Sequence, residues 1–303
     1  MTARRPRVGL LYNSTTPEVL TFASALIEHL SVMPDRLWFD FGREVGPGAR
    51  FRRVHGAIAE LAVARSWRSM AGHGLGLSLP SAMPLDEELV GAIAVAARDL
   101  GGFGWYSDHL NLFMMPDGGT AQAGLGLPVV YDDEALELIG AKLDRMQAAL
   151  GCRILLENGA FFTPVPDQEM SEPEFLNRLH RSGRCGTLLD LHNLLVNARN
   201  DGPEPADYLD ALDLEAVEEV HLAGGDDHAG FYMDSHSALA PPEVWELAHA
   251  YLPRCPNLRA ITFEYQESYF DAIGGPVAVA GELERMHELA TACVRVDEVP
   301  RAC

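Results

Sequence analysis

Short apolar runs alternate along this chain with longer stretches in which apolar residues return every three or four positions, the two periods of strand and helix. Strand-like runs fall at residues 8–12, 36–41, 70–77, 104–107, 153–156, 187–189, 217–222 and 260–263. Helical patterns fill 17–31, 53–66, 86–100, 133–150, 172–181, 242–251 and 276–293, and only the segment at 206–212 is short. Several of these open on Pro or an acidic residue, as helix starts prefer. Eight strands with intervening helices, and no linker or composition shift, predict an α/β fold: one closed (β/α)8 TIM barrel spanning residues 1–303 as a single domain. Longer connections at 111–131 and 223–242 follow the fourth and seventh strands and are expected to cover the catalytic end.

Seven acid or imidazole side chains stand at the close of these apolar runs: Asp40, His73, His109, Glu157, Asp190, His221 and Glu264. A ring of parallel strands delivers such groups to one mouth. Alone, each has a bland explanation: a satisfied core histidine, or for Glu157 a salt bridge across the barrel. Together, three imidazoles and several carboxylates on one mouth repel or desolvate one another unless metal ions neutralise them.

The neighbours of these residues add candidates. Gly72 and Gly74 flank His73, where the missing side chains would let a bulky group approach the ring. Asp108 is placed to orient a ring, and Asn158 follows Glu157. The run Asp190-Leu-His192-Asn193 packs three ligand types into four residues, with Asp190 and His192 on one face if the strand continues. The connection after His221 carries Asp227, His228, Asp234 and His236. So many ligands exceed the four that satisfy one structural zinc and point to two or three ions. Nitrogen and oxygen donors without cysteine suit Fe, Mn or Zn.

Composition narrows the partners. With 23 Lys and Arg against 44 Asp and Glu, the net charge of −21 repels a phosphate backbone and disfavours nucleic acid. No apolar run approaches the length that spans a bilayer, and the apolar stretch at 8–12 is too short for a signal-peptide core, so a cytoplasmic, membrane-free protein is expected. Five scattered cysteines, Cys152, Cys185, Cys255, Cys293 and Cys303, form neither a disulfide framework nor a zinc ribbon. Nucleophile elbow, Walker loop and dinucleotide fingerprint are missing from the sequence.

The segments His73-Gly-Leu-Gly-Leu-Ser-Leu79, Ser107-Asp-His-Leu110, Leu156-Glu-Asn158, Leu188-Leu-Asp-Leu-His-Asn193, His221-Leu-Ala-Gly224, Asp234-Ser-His236 and Phe263-Glu264 occur in an order that resembles the multinuclear non-heme iron-dependent oxidases of the MbnB/TglH kind. The resemblance implies a xylose-isomerase-like barrel with two or three irons. It implies dioxygen as co-substrate, a ribosomally made precursor peptide as substrate, often modified at cysteine, and a small partner protein that presents the peptide. Carried over by position, His73, His109, Glu157, Asp190, His221 and Glu264 are ligands of two irons, and Asn193, Asp234 and His236 of a third; His192, Asp108 and Asn158 are additional candidates. The chain departs from the pattern at His192, where asparagine is usual, at Gly225, a frequent histidine, at Gln266, often aspartate, and at Asp40, usually glutamate. Trp105, Tyr106, Phe231 and Tyr232 are candidates for gripping a peptide at the mouth. The residues alone also admit a divalent-metal sugar isomerase or hydrolase on the same barrel, and a non-catalytic peptide-binding barrel.

Overall fold

The computed structural model describes residues 5–294 apart from 43–44, 47, 49, 66–67, 115–121, 163–164 and 166. Cys303 lies outside the described residues, as do residues 1–4. Strands β1 (Arg7–Leu11) and β2 (His29–Val32) are joined by α1 (Thr16–Ala23). A ribbon of β3 (Trp38–Asp40) and β4 (Phe51–Arg53), then α2 (His55–Arg65), leads to β5 (Ser69–Gly74), and α3 (Glu87–Asp99) leads to β6 (Trp105–His109). The hairpin β7 (Leu112–Met114) and β8 (Gln122–Leu127) precedes α4 (Asp133–Leu150) and β9 (Arg153–Glu157). Next come α5 (Glu172–Arg181), β10 (Gly186–Asp190), α6 (Leu191–Arg199), α7 (Pro205–Ala211) and β11 (Val217–Leu222). A second hairpin, β12 (Gly224–His228) and β13 (Phe231–Ala238), is followed by α8 (Pro242–Tyr251), β14 (Ala260–Phe263) and α9 (Gly275–Ala292).

Eight parallel strands close in the order β1-β14-β11-β10-β9-β6-β5-β2, so chain order and spatial order agree around the ring. Helix starts follow local chemistry: Asp86, Asp132 and Ser171 each accept a backbone N–H three residues on, at the heads of α3, α4 and α5. The two-residue pleat then sorts the side chains. Ile154, Leu156, Leu189, Val220, Ile261 and Phe263 face the helices in the main core, where burying each such side chain contributes about 1.5–3 kcal/mol. Ala71, Trp105, Leu155, Leu188 and Ala260 form a separate cluster that fills the barrel floor. Two residues beyond that floor, the same inward faces deliver His73, Glu157 and Asp190 toward the mouth.

Three expectations need correction. The second barrel strand is His29–Val32, overlapping the end of the stretch read as helix, and the run at 36–41 forms a short helical turn and β3 instead. All four residues of β2 are buried, so neither face alternates and the strand period is silent there. Asp40 is therefore absent from the mouth; its carboxylate takes Nε and Nη2 of Arg50 at 2.9 and 2.8 Å. Finally, β10 ends at Asp190 and α6 starts at once, so His192 and Asn193 sit in a helical turn rather than on a continuing strand. Both long connections fold partly as hairpins.

Candidate metal centre

His73, His109, Glu157, Asp190, His221 and Glu264 converge at the strand ends in three overlapping triads, within each of which the ligand atoms lie within 4.8 Å of one another. A fourth triad at the same spacing joins His192 of α6 to Asp234 and His236 of β13. His236 links the two groups, its Nε2 standing 3.0 Å from Asp234 Oδ1 and 3.5 Å from Glu264 Oε2. The backbone of His236 is held at φ 50°, in the left-handed region. Such strain costs about 1–3 kcal/mol and is sustained here by the hairpin.

The imidazole tautomers follow from the hydrogen bonds. Ser107 Oγ donates to the Gly72 carbonyl, so at 2.9 Å it must accept from His73 Nδ1–H. His109 Nδ1–H donates to the Gly74 carbonyl at 3.0 Å. Burial keeps both rings below their ordinary value, hence neutral. Each Nε2 therefore aims a lone pair at Glu157 Oε2, from 3.6 Å for His73 and 3.4 Å for His109. Two imidazole lone pairs and a carboxylate facing one another in a dry site call for a proton or a metal ion among them.

Unpartnered atoms repeat the demand. Glu157 Oε2, Asp190 Oδ2, Asn193 Oδ1, His221 Nδ1, His236 Nε2 and Glu264 Oε1 have no hydrogen bond of acceptable geometry although their surroundings exclude water. His221 Nδ1 and Glu264 Oε1 stand 3.0 Å apart. Two donors about 2.1 Å from one ion at a right angle would be separated by about 3 Å. Charge tells the same story: burial works against it, yet Glu264 and Glu219 hold His221 well above its ordinary value, and Asp234 and Glu264 raise His236 to about 10. Burial first, then Asp190 and Glu264, pushes Glu157 well above the carboxylate range. The site gathers positive charge.

Neighbouring residues fix these groups in place. Asn158 donates to the Asp190 carbonyl at 2.9 Å and accepts its N–H at 2.8 Å, so it positions Asp190 and does not face the cluster as a ligand. Asp190 also caps α6 by accepting Asn193 N–H at 2.8 Å, while Asn193 Nδ2 donates to Glu157 Oε1 at 3.2 Å. Glu219, absent from the candidates drawn from sequence, lies 3.3 Å from His221 Nε2. It also accepts Trp105 Nε1–H at 2.5 Å and the Thr262 hydroxyl at 2.7 Å. The signal that could have found it is parity: a carboxylate two residues before His221 shares that residue's face of β11.

Other candidates fall elsewhere. Asp108 has the wrong pleat parity, lying between the inward Ser107 and His109, and it accepts the Tyr106 hydroxyl at 3.3 Å behind the barrel wall. Gly72 and Gly74 also face outward: a Cβ on Gly74 would meet Tyr106 Oη, so these glycines admit the packing behind the strand, not a group on the His73 ring. Trp105 lies on the barrel floor and Tyr106 in the main core, so neither reaches the mouth. Tyr232 is buried with its hydroxyl 3.3 Å from His192 Nε2, whereas Phe231 is exposed. Asp227 and His228 are exposed on β12. Gly225 backs onto His192: a Cβ there would stand 3.1 Å from the His192 ring and 1.9 Å from the Met233 carbonyl.

Fold and cluster together define a xylose-isomerase-like barrel with a nitrogen and oxygen donor set at its C-terminal mouth. The chain belongs to the family described as RiPP precursor modification enzyme MbnB/TglH/ChrH, whose model matches residues 21–285. A UPF0276 protein of Anaeromyxobacter sp. (strain Fw109-5), Anae109_1558, is 34% identical over 227 residues, 74% of this chain and 77% of that protein. Another UPF0276 protein, from Rhizorhabdus wittichii, is 30% identical over 247 residues, 82% of this chain and 80% of its own. Among solved structures, endonuclease IV from Thermus thermophilus is similar with a TM-score of 0.56 at 20% identity, covering 94% of this chain and 99% of that one. A xylose isomerase domain protein from Alicyclobacillus acidocaldarius gives 0.53 at 15% identity over 95% of this chain and 99% of its own. At these identities the two structures speak for the fold alone. Among the described residues, no helix is long and apolar enough to cross a membrane.

Proposed function

We propose that the protein is a multinuclear non-heme iron-dependent oxidase that uses dioxygen to modify a residue, often cysteine, of a ribosomally made precursor peptide presented by a small partner protein. The observation that carries this reading is the set of six buried cluster atoms without hydrogen-bond partners, on a chain of the precursor-modifying family. His73, His109, Glu157, Asp190, His221 and Glu264 would hold two irons, and Asn193, Asp234 and His236 a third, with His192 against Asp234 at 3.0 Å. Bound iron would supply one-electron chemistry toward dioxygen, which nitrogen and oxygen donors support in both common oxidation states.

The chain's own residues prepare that chemistry. Ser107, the Gly74 carbonyl and Glu219 hold protons on the outer nitrogens of His73, His109 and His221, leaving the inner nitrogens free to bind. Asn158 and the head of α6 fix Asp190. The hairpin of β12 and β13 brings Asp234 and His236 to the mouth, beside Glu264. Metal analysis of protein purified without oxygen tests the reading. Two or more irons per chain support it; stoichiometric zinc or manganese with no response to air would contradict it and favour a sugar isomerase or hydrolase.

A further inference from the structure

A second pocket lies beside the cluster, across the loop that follows β9. Its volume is about 620 Å³, and Val129, Phe161, Phe162, Met170 and Phe231 give it apolar walls. Glu172, Tyr131 and Tyr208 also line it, with exposures of 8%, 5% and 5%. Gly159 N–H donates to Glu172 Oε1 at 3.1 Å. The Tyr131 and Tyr208 hydroxyls donate toward Glu172 and work against burial to lower its carboxyl, so their lone pairs are what they leave to the pocket.

The other polar groups are committed. Gln168 bonds Tyr131 N–H and the Val129 carbonyl, and Asn197 bonds Phe161 N–H and the Gly159 carbonyl. Arg199 nearby is turned onto the Tyr232 ring and pairs with Glu243 at 2.7 Å. The lining holds the carboxylates of Glu172, Asp201 and Asp207 and, among the described residues, no Lys, Arg or His. What remains on Glu172, Tyr131 and Tyr208 is oxygen able to accept, so a complementary ligand donates and carries positive charge.

Position ties the pocket to the cluster. Gly159 follows Glu157 by two residues, and Phe231 opens the strand that carries Asp234 and His236. Phe231 meets Phe162 edge to face with ring centroids 6.1 Å apart. We propose that this pocket anchors a lysine or arginine side chain of the substrate peptide, its stem against Phe161, Phe162 and Phe231 and its head on Glu172, Tyr131 and Tyr208. That the cation belongs to a peptide rests on the proposed function; that the pocket takes a cation does not. Burial pushes the Glu172 carboxyl to about 7, and a cation against it favours the ionised form.

The test is an NMR titration of the full chain, without turnover, using N-acetyl-arginine methylamide and its neutral counterpart N-acetyl-norleucine methylamide. Saturable binding of the arginine probe is expected, about tenfold or more tighter than the norleucine probe, and weakened about tenfold or more by Glu172→Gln and by Tyr208→Phe. Glutamine keeps the oxygen that receives Gly159 N–H, and thermal unfolding of both variants verifies their fold. Equal affinity for the two probes, no binding of the arginine probe, or unchanged binding in both folded variants overturns the proposal. Iron content measured on the same samples separates the two readings: a failed anchor with iron present leaves the oxidase standing, and the converse leaves the pocket standing.

Discussion

Nε2 of His221 stands 3.3 Å from Oε1 of Glu219, two residues earlier on the same inward face of β11. That contact fixes the ring so that Nδ1 faces Glu264 Oε1 at 3.0 Å. Carboxylates that hold a ligand histidine this way are worth about 10- to 100-fold in metal affinity. Glu219→Gln is expected to preserve the fold and weaken metal binding by that factor in a competition titration against a chelator. Unchanged affinity would show that Glu219 serves packing alone.

Metal binding should release protons. His236 is raised to about 10 by Asp234 and Glu264 against its burial, so at pH 7 it carries a proton that a cation must displace, and His221 and Glu157 are shifted in the same direction. Raised groups keep their protons until the pH passes their folded values, so apparent affinity rises with pH through the neutral range. Calorimetry in buffers of differing ionisation enthalpy should detect net proton release at pH 7. No release would contradict this charge assignment.

Glu172 gives a pH signature outside the cluster. Burial lifts it from an ordinary 4.5 to about 7. The unfolded chain ionises near 4.5 and the folded one near 7, so its contribution is full below the lower value, is lost as pH rises between them, and stays lost above. The loss is about 3 kcal/mol. Glu172→Gln should therefore gain stability relative to the parent by up to about 3 kcal/mol on going from pH 4.5 to pH 8 in urea unfolding. An identical difference at both pH values would count against a buried, neutral Glu172.

Gly225 tests the roof. A Cβ there would stand 1.9 Å from the Met233 carbonyl on the paired strand and 3.1 Å from the His192 ring. Backbone cannot yield as a side-chain tip can, so Gly225→Ala is expected to cost about 2 kcal/mol, or roughly 4 °C in Tm. A Tm equal to the parent's would mean that β12 shifts freely.

Seven of the eight barrel strands are readable from apolar runs; the second is not, because β2 is four residues long and buried throughout while the run near Trp38 looks more strand-like. The ring of candidate ligands is readable because pleat parity puts one acid or imidazole at the end of six of the eight inward faces. The same parity, applied more strictly, excludes Asp108 and finds Glu219. Local sequence suggests a continuing strand at His192, yet the N-cap at Asp190 starts α6 and turns it toward Asp234, 3.0 Å away. Nothing in the local sequence announces that the hairpin folds back to bring Asp234 and His236 to the mouth; only the antiparallel pairing of β12 with β13 does so.

The most direct measurement is the Mössbauer spectrum of protein loaded anaerobically with ferrous ⁵⁷Fe, before and after exposure to dioxygen. The account predicts inequivalent ferrous sites, since the triads differ in donors, and conversion of part of that signal to ferric on air exposure. A single unchanging ferrous signal, or failure to retain iron, would contradict it.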